Sequence, residues 1–497
     1  MIHIEKLNNS YLRVYSDDTS FERDLRDHFS FKADGYQFSP KYKAGIWDGS
    51  IRLYNIGTKQ LSAGLLNNLL DFCTKYDDEV QIDERLTNEQ NSITKEEVES
   101  FINSLNVYSR GKPLEARDYQ IECIYQSIKQ KRLVSKVPTS GGKSFIIYCI
   151  MRWFIDQELR FCLIVPTVSL VKQMYSDFLD YSSHNGFDVS KNVHNLHSGE
   201  AKEFSHPVLI STWQSINAFK KTNKNYRKIF NTYDAVTVDE CHLATGTALT
   251  AILESMVDIE YRFGTTGTID NKKVNQLTIE GNIGPIYSAI TTKELIERGQ
   301  VSDIEIKSMV LKFPPEDCGI VKDLKYNEQE EYAFLHPKRL RFLQNIALST
   351  KGTTLILCAK VEKQAIPIYD KLKEKSTRPV YLIIGDVEAD VREKIRQLAN
   401  IEDCIIVASY ATMSTGISIP NIRYVIFGSS SKSMVRVLQS IGRGLRLHSD
   451  KEKMVLIDIV DNLQHKKKLN YAMTHFQERL KMYQKEKFTV KITEVPL

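Results

Sequence analysis

A glycine pair followed by lysine and serine, in Pro138-Thr139-Ser140-Gly141-Gly142-Lys143-Ser144, and two acids about a hundred residues later, in Asp239-Glu240-Cys241-His242, are the residues of this chain whose types and spacing could do chemistry. Glycines let a loop turn its backbone N–H groups inward around a phosphate, so Thr139, Ser140, Gly141 and Gly142 could form a cradle at a helix N-terminus. Lys143 would reach the β/γ-phosphates of a nucleotide as a point charge, and the Ser144 hydroxyl would ligate Mg2+. Val137 stands where the general phosphate-loop pattern has its first glycine, and Ser140 where a further glycine is common, so Gly-Lys-Ser alone also suits an ordinary loop. The acids remove most of that ambiguity. Residues 233–238 read as a buried strand, which leaves Asp239 and Glu240 at its carboxyl end, the place where α/β sheets hold ligands. There Asp239 would hold Mg2+ through water, and Glu240 would orient and polarise an attacking water. The two runs together predict a site that binds ATP with Mg2+ and hydrolyses it.

These groups need a strand, a tight loop and a helix, with a second strand end beside them. Residues 133–137 form a short apolar piece after an amphipathic stretch, and residues 145–150 open an apolar helix. Short apolar strands at 161–165, 208–211, 235–238 and 262–264 alternate with helical patterns, which predicts a parallel sheet covered by helices. After residues 310–313 and a charged helix at 328–334, a second series follows at 354–359, 379–384, 404–408, 424–427 and 454–459. Ahead of both, strand-like residues 11–15 and 51–54 and helical pieces at 21–29 and 65–72 predict a small α/β domain. It ends at the polar stretch 83–92 and at Gly111-Lys112-Pro113. The expected fold is α/β, with a small amino-terminal domain over 1–110 and two tandem parallel-sheet domains over 111–305 and 306–497. The last of these carries a basic helical tail.

A chain of 497 residues is too long for one core. Its 42% hydrophobic and 26% charged residues suit a globular protein. No apolar run approaches the roughly 18 residues of a membrane span, and Met1-Ile2-His3-Ile4-Glu5 lacks the basic head and apolar core of a secretory signal. A cytoplasmic location without membrane contact is expected. Eight scattered cysteines with no Cys-x-x-Cys pair read as reduced, buried residues and not as a disulfide framework or zinc site. The net charge of +5 is unevenly spread: residues 462–497 hold eight Lys/Arg against three Glu, whereas 71–99 hold ten acids against three bases.

Further motifs fall in order along residues 113–460: Arg117-Asp118-Tyr119-Gln120, Pro166-Thr167 with Leu170 and Gln173, Ser211-Thr212-Trp213-Gln214, Thr266-Gly267-Thr268, Ala408-Ser409, Ser414-Thr415-Gly416-Ile417-Ser418 and Gln439-Ser440-Ile441-Gly442-Arg443-Gly444-Leu445-Arg446. The series resembles that of the superfamily-2 helicases, whose paired motor domains are RecA-like. The resemblance implies that Gln120 reads the adenine edge with Arg117 nearby, and that Gly416 belongs to the nucleotide site. It also implies that Pro166, Thr167, Thr212, Trp213 and Thr415 touch nucleic-acid backbone, and that Thr266-Gly267-Thr268 couples the acids to that side. Gln439, Arg443 and Arg446 would act on the nucleotide from the second motor domain. Arg443 and Arg446, three apart on a helical segment, share a face, and charge supplied from another domain makes hydrolysis conditional on closure. Ser418 stands where many relatives carry Asp, which leaves that position's role open. The run 239–246 and Lys466-Lys467-Lys468 ahead of Asn470-Tyr471 look most like the recombination and repair helicases of large tailed phages. That likeness implies a monomer in the host-cell cytoplasm that unwinds or remodels branched or partly single-stranded DNA with 3′-to-5′ polarity. Its substrates would include forks, Holliday junctions and D- and R-loops with their RNA–DNA hybrids.

A double-stranded DNA translocase or restriction-type motor shares every motor motif, although no nuclease constellation is evident in the first hundred residues. The backbone-gripping motifs do not separate DNA from RNA, so an RNA helicase is a further reading. A catalytically inactive nucleic-acid scaffold is a third, which intact Lys143, Asp239, Glu240 and Arg446 argue against. In the amino-terminal part, residues 31–59 hold Lys32, Lys41, Lys43, Arg52 and Lys59 against two Asp, interleaved with six aromatics. Basic residues can track phosphates while aromatics stack on unpaired bases. Lys41, Lys43 and Trp47, flanking turn-like Ser39-Pro40 and Asp48-Gly49, are expected to be exposed and to contact DNA at a branch, although aromatics at this spacing also suit a core.

Overall fold

A computed structural model describes the chain except residues 34, 88–89, 197–203, 270–271, 386, 388, 415–418, 420 and 430–452. The chain divides into two compact units, residues 1–137 with 142–289, and residues 290–497 with the loop 138–141.

In the first unit, seven strands form an all-parallel sheet in the order Val193–Leu196, Val208–Thr212, Phe161–Val165, Ala235–Asp239, Tyr261–Thr266, Arg132–Lys136, Ile286–Ser288. The central strands are buried along their whole length, as expected when helices cover both faces of a parallel sheet. Two of the seven were not legible as strands: Val193–Leu196 carries His194 and Asn195 at its middle, and Ile286–Ser288 is three residues long. Parallel strands all point the same way, so the chain leaves each at one edge of the sheet. Thr265 lies opposite Asp239, and Lys136 opposite Thr266.

The amino-terminal part has its own five-stranded sheet, ordered Tyr54–Asn55, Gln60–Ser62, Tyr11–Ser16, Ile2–Lys6, Val80–Ile82. Helices Thr19–His28 and Leu66–Cys73 supply Phe21, Leu25, Leu69 and Phe72 to its core, and Leu277 of the motor joins the same cluster. The sequence treats this part as a separate domain. In the structure it shares the first compact unit and meets the seven-stranded sheet through two arginines at the starts of neighbouring strands, Arg132 half-buried and Arg262 buried. Arg132 donates to the carbonyl of Asn9 at 2.7 Å and to that of Ile283 at 3.0 Å. Arg262, fully buried, donates to the Ser10 hydroxyl at 2.8 Å and to the carbonyls of Leu253, Met256, Ile259 and Asn282. Such a cage of dipoles is what a desolvated guanidinium without a carboxylate needs. At Gly64 a Cβ would lie 1.9 Å from the Glu280 carbonyl oxygen, so the two parts approach backbone to backbone.

The stretch 51–54, which reads as one strand, breaks at Leu53 because its halves serve different sheets. Ser50–Arg52 pairs antiparallel with Ser30–Lys32, and Tyr54–Asn55 pairs with Gln60–Ser62.

The second unit repeats the parallel architecture in the order Val380–Ile383, Ile405–Ser409, Thr353–Cys358, Ile422–Phe427, Lys453–Asn462, Asp303–Lys312, Val490–Pro496. The two compact units meet in sequence at 289/290, with helix Thr292–Glu297 belonging to the second. The tail is not purely helical. Helix Tyr471–Lys485 is followed by Val490–Pro496, an edge strand against Asp303–Lys312, where Lys491 meets Glu305 at 3.0 Å and Glu494 meets Lys312. The helix is held by Arg479, which donates twice to Asp458 at 2.9 Å with both side chains buried, and by the Tyr483 hydroxyl on the same carboxylate at 3.1 Å. All eight cysteines are buried and unpaired with one another. No described helix is long and apolar enough to cross a membrane.

Candidate active site

Strand Arg132–Lys136 ends with the Val137 N–H on the Thr266 carbonyl at 2.9 Å, and the loop then turns into helix Lys143–Ile155. Two left-handed residues make that turn. Gly142 has φ 84, and Ser140, at φ 70, occupies a region that L side chains rarely visit. Gly142 is needed for a second reason: a Cβ there would come within 2.2 Å of the Gln120 amide nitrogen. Gln120 is buried, and its Oε1 accepts from the Arg117 N–H at 2.9 Å. The Arg117 guanidinium donates to the Tyr119 hydroxyl at 3.0 Å. The structure thus brings Arg117 and Gln120, some twenty residues earlier in the chain, against the glycine loop.

The acidic strand end lies beside it. Glu240 is also left-handed, at φ 50, which turns the chain sharply out of the strand into the short helix Cys241–Leu243. Strain of this kind persists where surrounding packing over-determines it. Here Cys241 is buried under Gly264, where a Cβ would meet its Sγ at 2.9 Å. The Lys143 ammonium lies 3.9 Å from Glu240 Oε1. His242 Nδ1 is 3.3 Å from Glu240 Oε2 and 3.0 Å from the Thr266 hydroxyl. That hydroxyl is also 2.9 Å from the Thr268 carbonyl, to which it can donate. Asp239 is 5% exposed and accepts from the Thr265 hydroxyl at 2.7 Å. Burial, and then the neighbouring Glu240 carboxylate, raise its pKa above the ordinary carboxylate value, against the pull of Lys143 and Thr265. A buried carboxylate disfavoured in this way gains from a cation.

The Ser144 hydroxyl, read as a metal ligand, is 2.9 Å from the buried Tyr181 hydroxyl of helix Val168–Tyr181. When Ser144 donates to Tyr181, both lone pairs of its oxygen remain available to a metal. One carboxylate and one hydroxyl, with water completing the shell, is a donor set that suits Mg2+. Thr265, His242 and Tyr181 were given no role on sequence. Thr265 could have been found only by knowing that its strand lies next to Asp239, and Tyr181 only from packing.

The motifs read as nucleic-acid contacts emerge from two neighbouring strands at the same sheet edge, Val165 lying opposite Thr212. Both threonines cap helices. Thr167 accepts from the Leu170 N–H at 3.3 Å, and Thr212, buried, from the Ser215 N–H at 3.1 Å. The Pro166 carbonyl accepts from the Gln214 amide at 3.2 Å, which ties the two loops together, and Trp213 packs partly buried on the core. In the amino-terminal part Lys41 and Lys43 are exposed. Trp47 is not: it is half-buried, and its indole N–H donates to the Ser50 carbonyl at 2.9 Å, so it fastens the turn from within. Thr415, Gly416, Gln439, Arg443 and Arg446 lie outside the described residues.

The same three stretches match known families. Residues 2–83 match the amino-terminal domain of DNA helicase UvsW, 113–271 the res subunit of type III restriction enzymes, and 338–448 the conserved helicase C-terminal domain. The chain is 31% identical over 506 aligned positions to the ATP-dependent DNA helicase uvsW of Enterobacteria phage T4, covering 98% of each. It is 25% identical to putative helicase 22 of a Sulfolobus islandicus filamentous virus, over 73% of this chain and 68% of that one. The crystal structure of T4 UvsW superposes with a TM-score of 0.53 at 29% identity, over 100% of this chain and 99% of the other. An HsdR fragment of a type I restriction enzyme from Vibrio vulnificus has a TM-score of 0.54 at 18% identity, over 82% and 72%, and shares the fold.

Proposed function

The chain belongs to the UvsW family of ATP-dependent DNA helicases, and from that premise we propose that it spends ATP to unwind or remodel branched and partly single-stranded DNA in recombination, repair and replication. The observation that carries the reading is the convergence of Lys143, Asp239, Glu240, His242 and Thr266 at the carboxyl ends of three adjacent strands. It has the parts that phosphoryl transfer to water requires.

The loop 139–142 and the N-terminus of helix Lys143–Ile155 receive the phosphates, with Lys143 as point charge on the β/γ oxygens. Gln120, packed on the loop, reads the adenine edge with Arg117 beside it. Ser144 and Asp239 would hold Mg2+, which when bound neutralises charge on the transferring phosphoryl group. Glu240 orients and polarises the attacking water, and His242, with Nδ1 between that carboxylate and the Thr266 hydroxyl, holds the acid in place. Because Thr266 begins the run Thr266-Gly267-Thr268, a change in the water-polarising acid is felt by the segment leading toward the DNA side. Arg443 and Arg446 add positive charge in the transition state, Gln439 acts beside them as a neutral hydrogen-bonding group, and Gly416 belongs to the nucleotide site. Pro166, Thr167, Thr212, Trp213 and Thr415 grip backbone phosphates: Thr167 and Thr212 cap two adjacent helices whose N-terminal N–H groups suit anions.

Residues 111–305 are the nucleotide-binding motor part, 306–497 the second motor part and 1–110 a DNA-contacting part in which Lys41 and Lys43 hold phosphates. RNA–DNA hybrids at R-loops are also substrates, and the protein works as a monomer in the host cytoplasm. The match of residues 113–271 to restriction-enzyme motors keeps duplex translocation without strand separation as a second reading. ATPase and strand-separation rates on single-stranded DNA, duplex, three-way fork, four-way junction and RNA, measured side by side, test the proposal. Fork and junction should be unwound fastest. Equal ATPase on plain duplex with no strand separation would establish the translocase instead.

A further inference from the structure

Residues 33–49 form an excursion between the antiparallel strands Ser30–Lys32 and Ser50–Arg52, and it is built to hold its shape. The Ala33 N–H donates to the Gly49 carbonyl at 2.8 Å, closing the base. The Lys41 carbonyl accepts from both Ile46 and Trp47 N–H groups, at 3.0 and 3.2 Å, folding the tip back on the helix Pro40–Lys43. Tyr36 and Tyr42 meet edge to face at 4.8 Å, and a Cβ at Gly49 would strike the Tyr36 ring. Lys32 donates to the Asp48 carbonyl at 2.6 Å, and the Asp48 carboxylate pairs with Arg52. With Tyr36, Trp47 and Asp48 used internally, the excursion still presents Phe38 at 79% exposure and Ile46 at 78%. Of the described large apolar side chains only Ile401 is more exposed, and Tyr42 and Ile51, in the same stretch of chain, are also exposed. Large apolar side chains held out to solvent on an ordered turn are what an interaction site uses.

Its charge states what it meets. Residues 33–49 carry Lys41 and Lys43 in mid-stretch against Asp34 and Asp48 near its two ends, and Asp48 is paired with Arg52. The whole part is fixed to the first motor sheet through Arg132, Arg262 and the Gly64 contact, and Lys273 of the motor sits 6.0 Å over the Phe31 ring at the foot of the excursion. Two exposed lysines in the same short turn as two exposed apolar side chains match DNA whose last base pair has lost its stacked neighbour. Apolar side chains such as Phe and Ile substitute for a base against an exposed step, and lysines neutralise the adjoining phosphates.

We propose that Phe38 and Ile46 are a strand-separating wedge that stacks on the terminal base pair at the branch, while Lys41 and Lys43 hold the diverging backbone. The inference rests on the branched-DNA reading above and assigns the apolar tip, not Trp47, to the bases.

The test uses the full chain and a fork with 2-aminopurine at the last paired position. Fork unwinding per ATP hydrolysed and 2-aminopurine fluorescence on binding are compared for wild type, Phe38→Ala, Ile46→Ala and Phe38→Trp. The wedge predicts that Phe38→Ala loses the fluorescence change and unwinds about tenfold fewer base pairs per ATP, the scale of one lost base stack. Ile46→Ala should lose less, and Phe38→Trp should retain both signals. Wild-type levels in both alanine variants would overturn the wedge and leave the branched-DNA reading standing. A wild type that hydrolyses ATP but separates no fork would overturn both. An equal loss of single-strand translocation and fork unwinding would make the tip a general grip, and a changed sedimentation coefficient with unchanged fluorescence would make it a contact between copies. Either result overturns the wedge.

Discussion

The nucleotide site and the amino-terminal excursion solve opposite problems. In the nucleotide site the described working groups are buried or half-buried and held by neighbours: Asp239 by Thr265, Glu240 by His242, and Gly142 by Gln120. The backbone at Ser140 and Glu240 sits in the left-handed region to aim those groups. In the excursion the packing is just as specific, but it serves to leave Phe38, Ile46, Lys41 and Lys43 outside. Charge stabilisation in a transition state gains from low dielectric and pre-set geometry, whereas gripping a polymer needs surface. Substitutions in the first region should therefore act on turnover, and those in the second on the use of turnover to part strands.

The largest separation of the two should come from Lys143→Ala, which removes the point charge on the phosphates. ATP hydrolysis should fall to background while DNA affinity, measured by fluorescence anisotropy, stays within about twofold of wild type, since phosphate contacts elsewhere set it. Arg446→Ala should lower kcat by on the order of a thousandfold with little change in KM, because charge developed only in the transition state is affected. Steady-state ATPase kinetics that leave kcat unchanged would remove Arg446 from the chemistry. Glu240→Gln should stop turnover by a comparable factor yet retain bound nucleotide, detectable by filter binding of labelled ATP. Full turnover in that variant would mean the water is activated elsewhere.

Smaller effects sharpen the comparison. Changing Lys41 and Lys43 together to Glu should weaken fork binding by roughly tenfold, more than single-strand binding, and the difference should shrink as salt rises. Equal losses on both substrates would reduce this region to a general electrostatic aid. Gly64→Ala tests the mount between the regions. With its Cβ 1.9 Å from the Glu280 carbonyl oxygen, it should destabilise the first unit by about 1–3 kcal/mol in thermal unfolding. An unchanged melting temperature would show that the two parts yield to each other at this contact.

Much of the nucleotide site was legible in the sequence, because phosphate and water chemistry permits few residue types at few spacings. Lys143, Ser144, Asp239 and Glu240 were read that way, and the structure places them at neighbouring strand ends, which followed from apolar runs bounded by polar residues. The supporting set was not. Thr265 became visible as the partner of Asp239 only when the sheet order placed Tyr261–Thr266 beside Ala235–Asp239, and Tyr181 only when its helix packed on Lys143–Ile155. The strand Val490–Pro496 was missed because its alternating pattern is short and mostly exposed. Its place is decided by a ladder to residues nearly two hundred positions earlier.

By itself, then, the sequence determined the reaction and the repeated α/β plan, since motif chemistry and hydrophobic period are local properties read a few residues at a time. Tertiary structure alone decided which aromatics face water. Trp47 and Phe38 stand nine positions apart in one basic, aromatic stretch, and nothing local tells them apart. One indole finds a carbonyl at Ser50 and turns inward, the other ring finds no such partner and stays out. Burial is settled by contacts between segments, and the attachment of the amino-terminal part to the motor through Arg132 and Arg262 is settled in the same way, by carbonyls that converge only once the sheets are built.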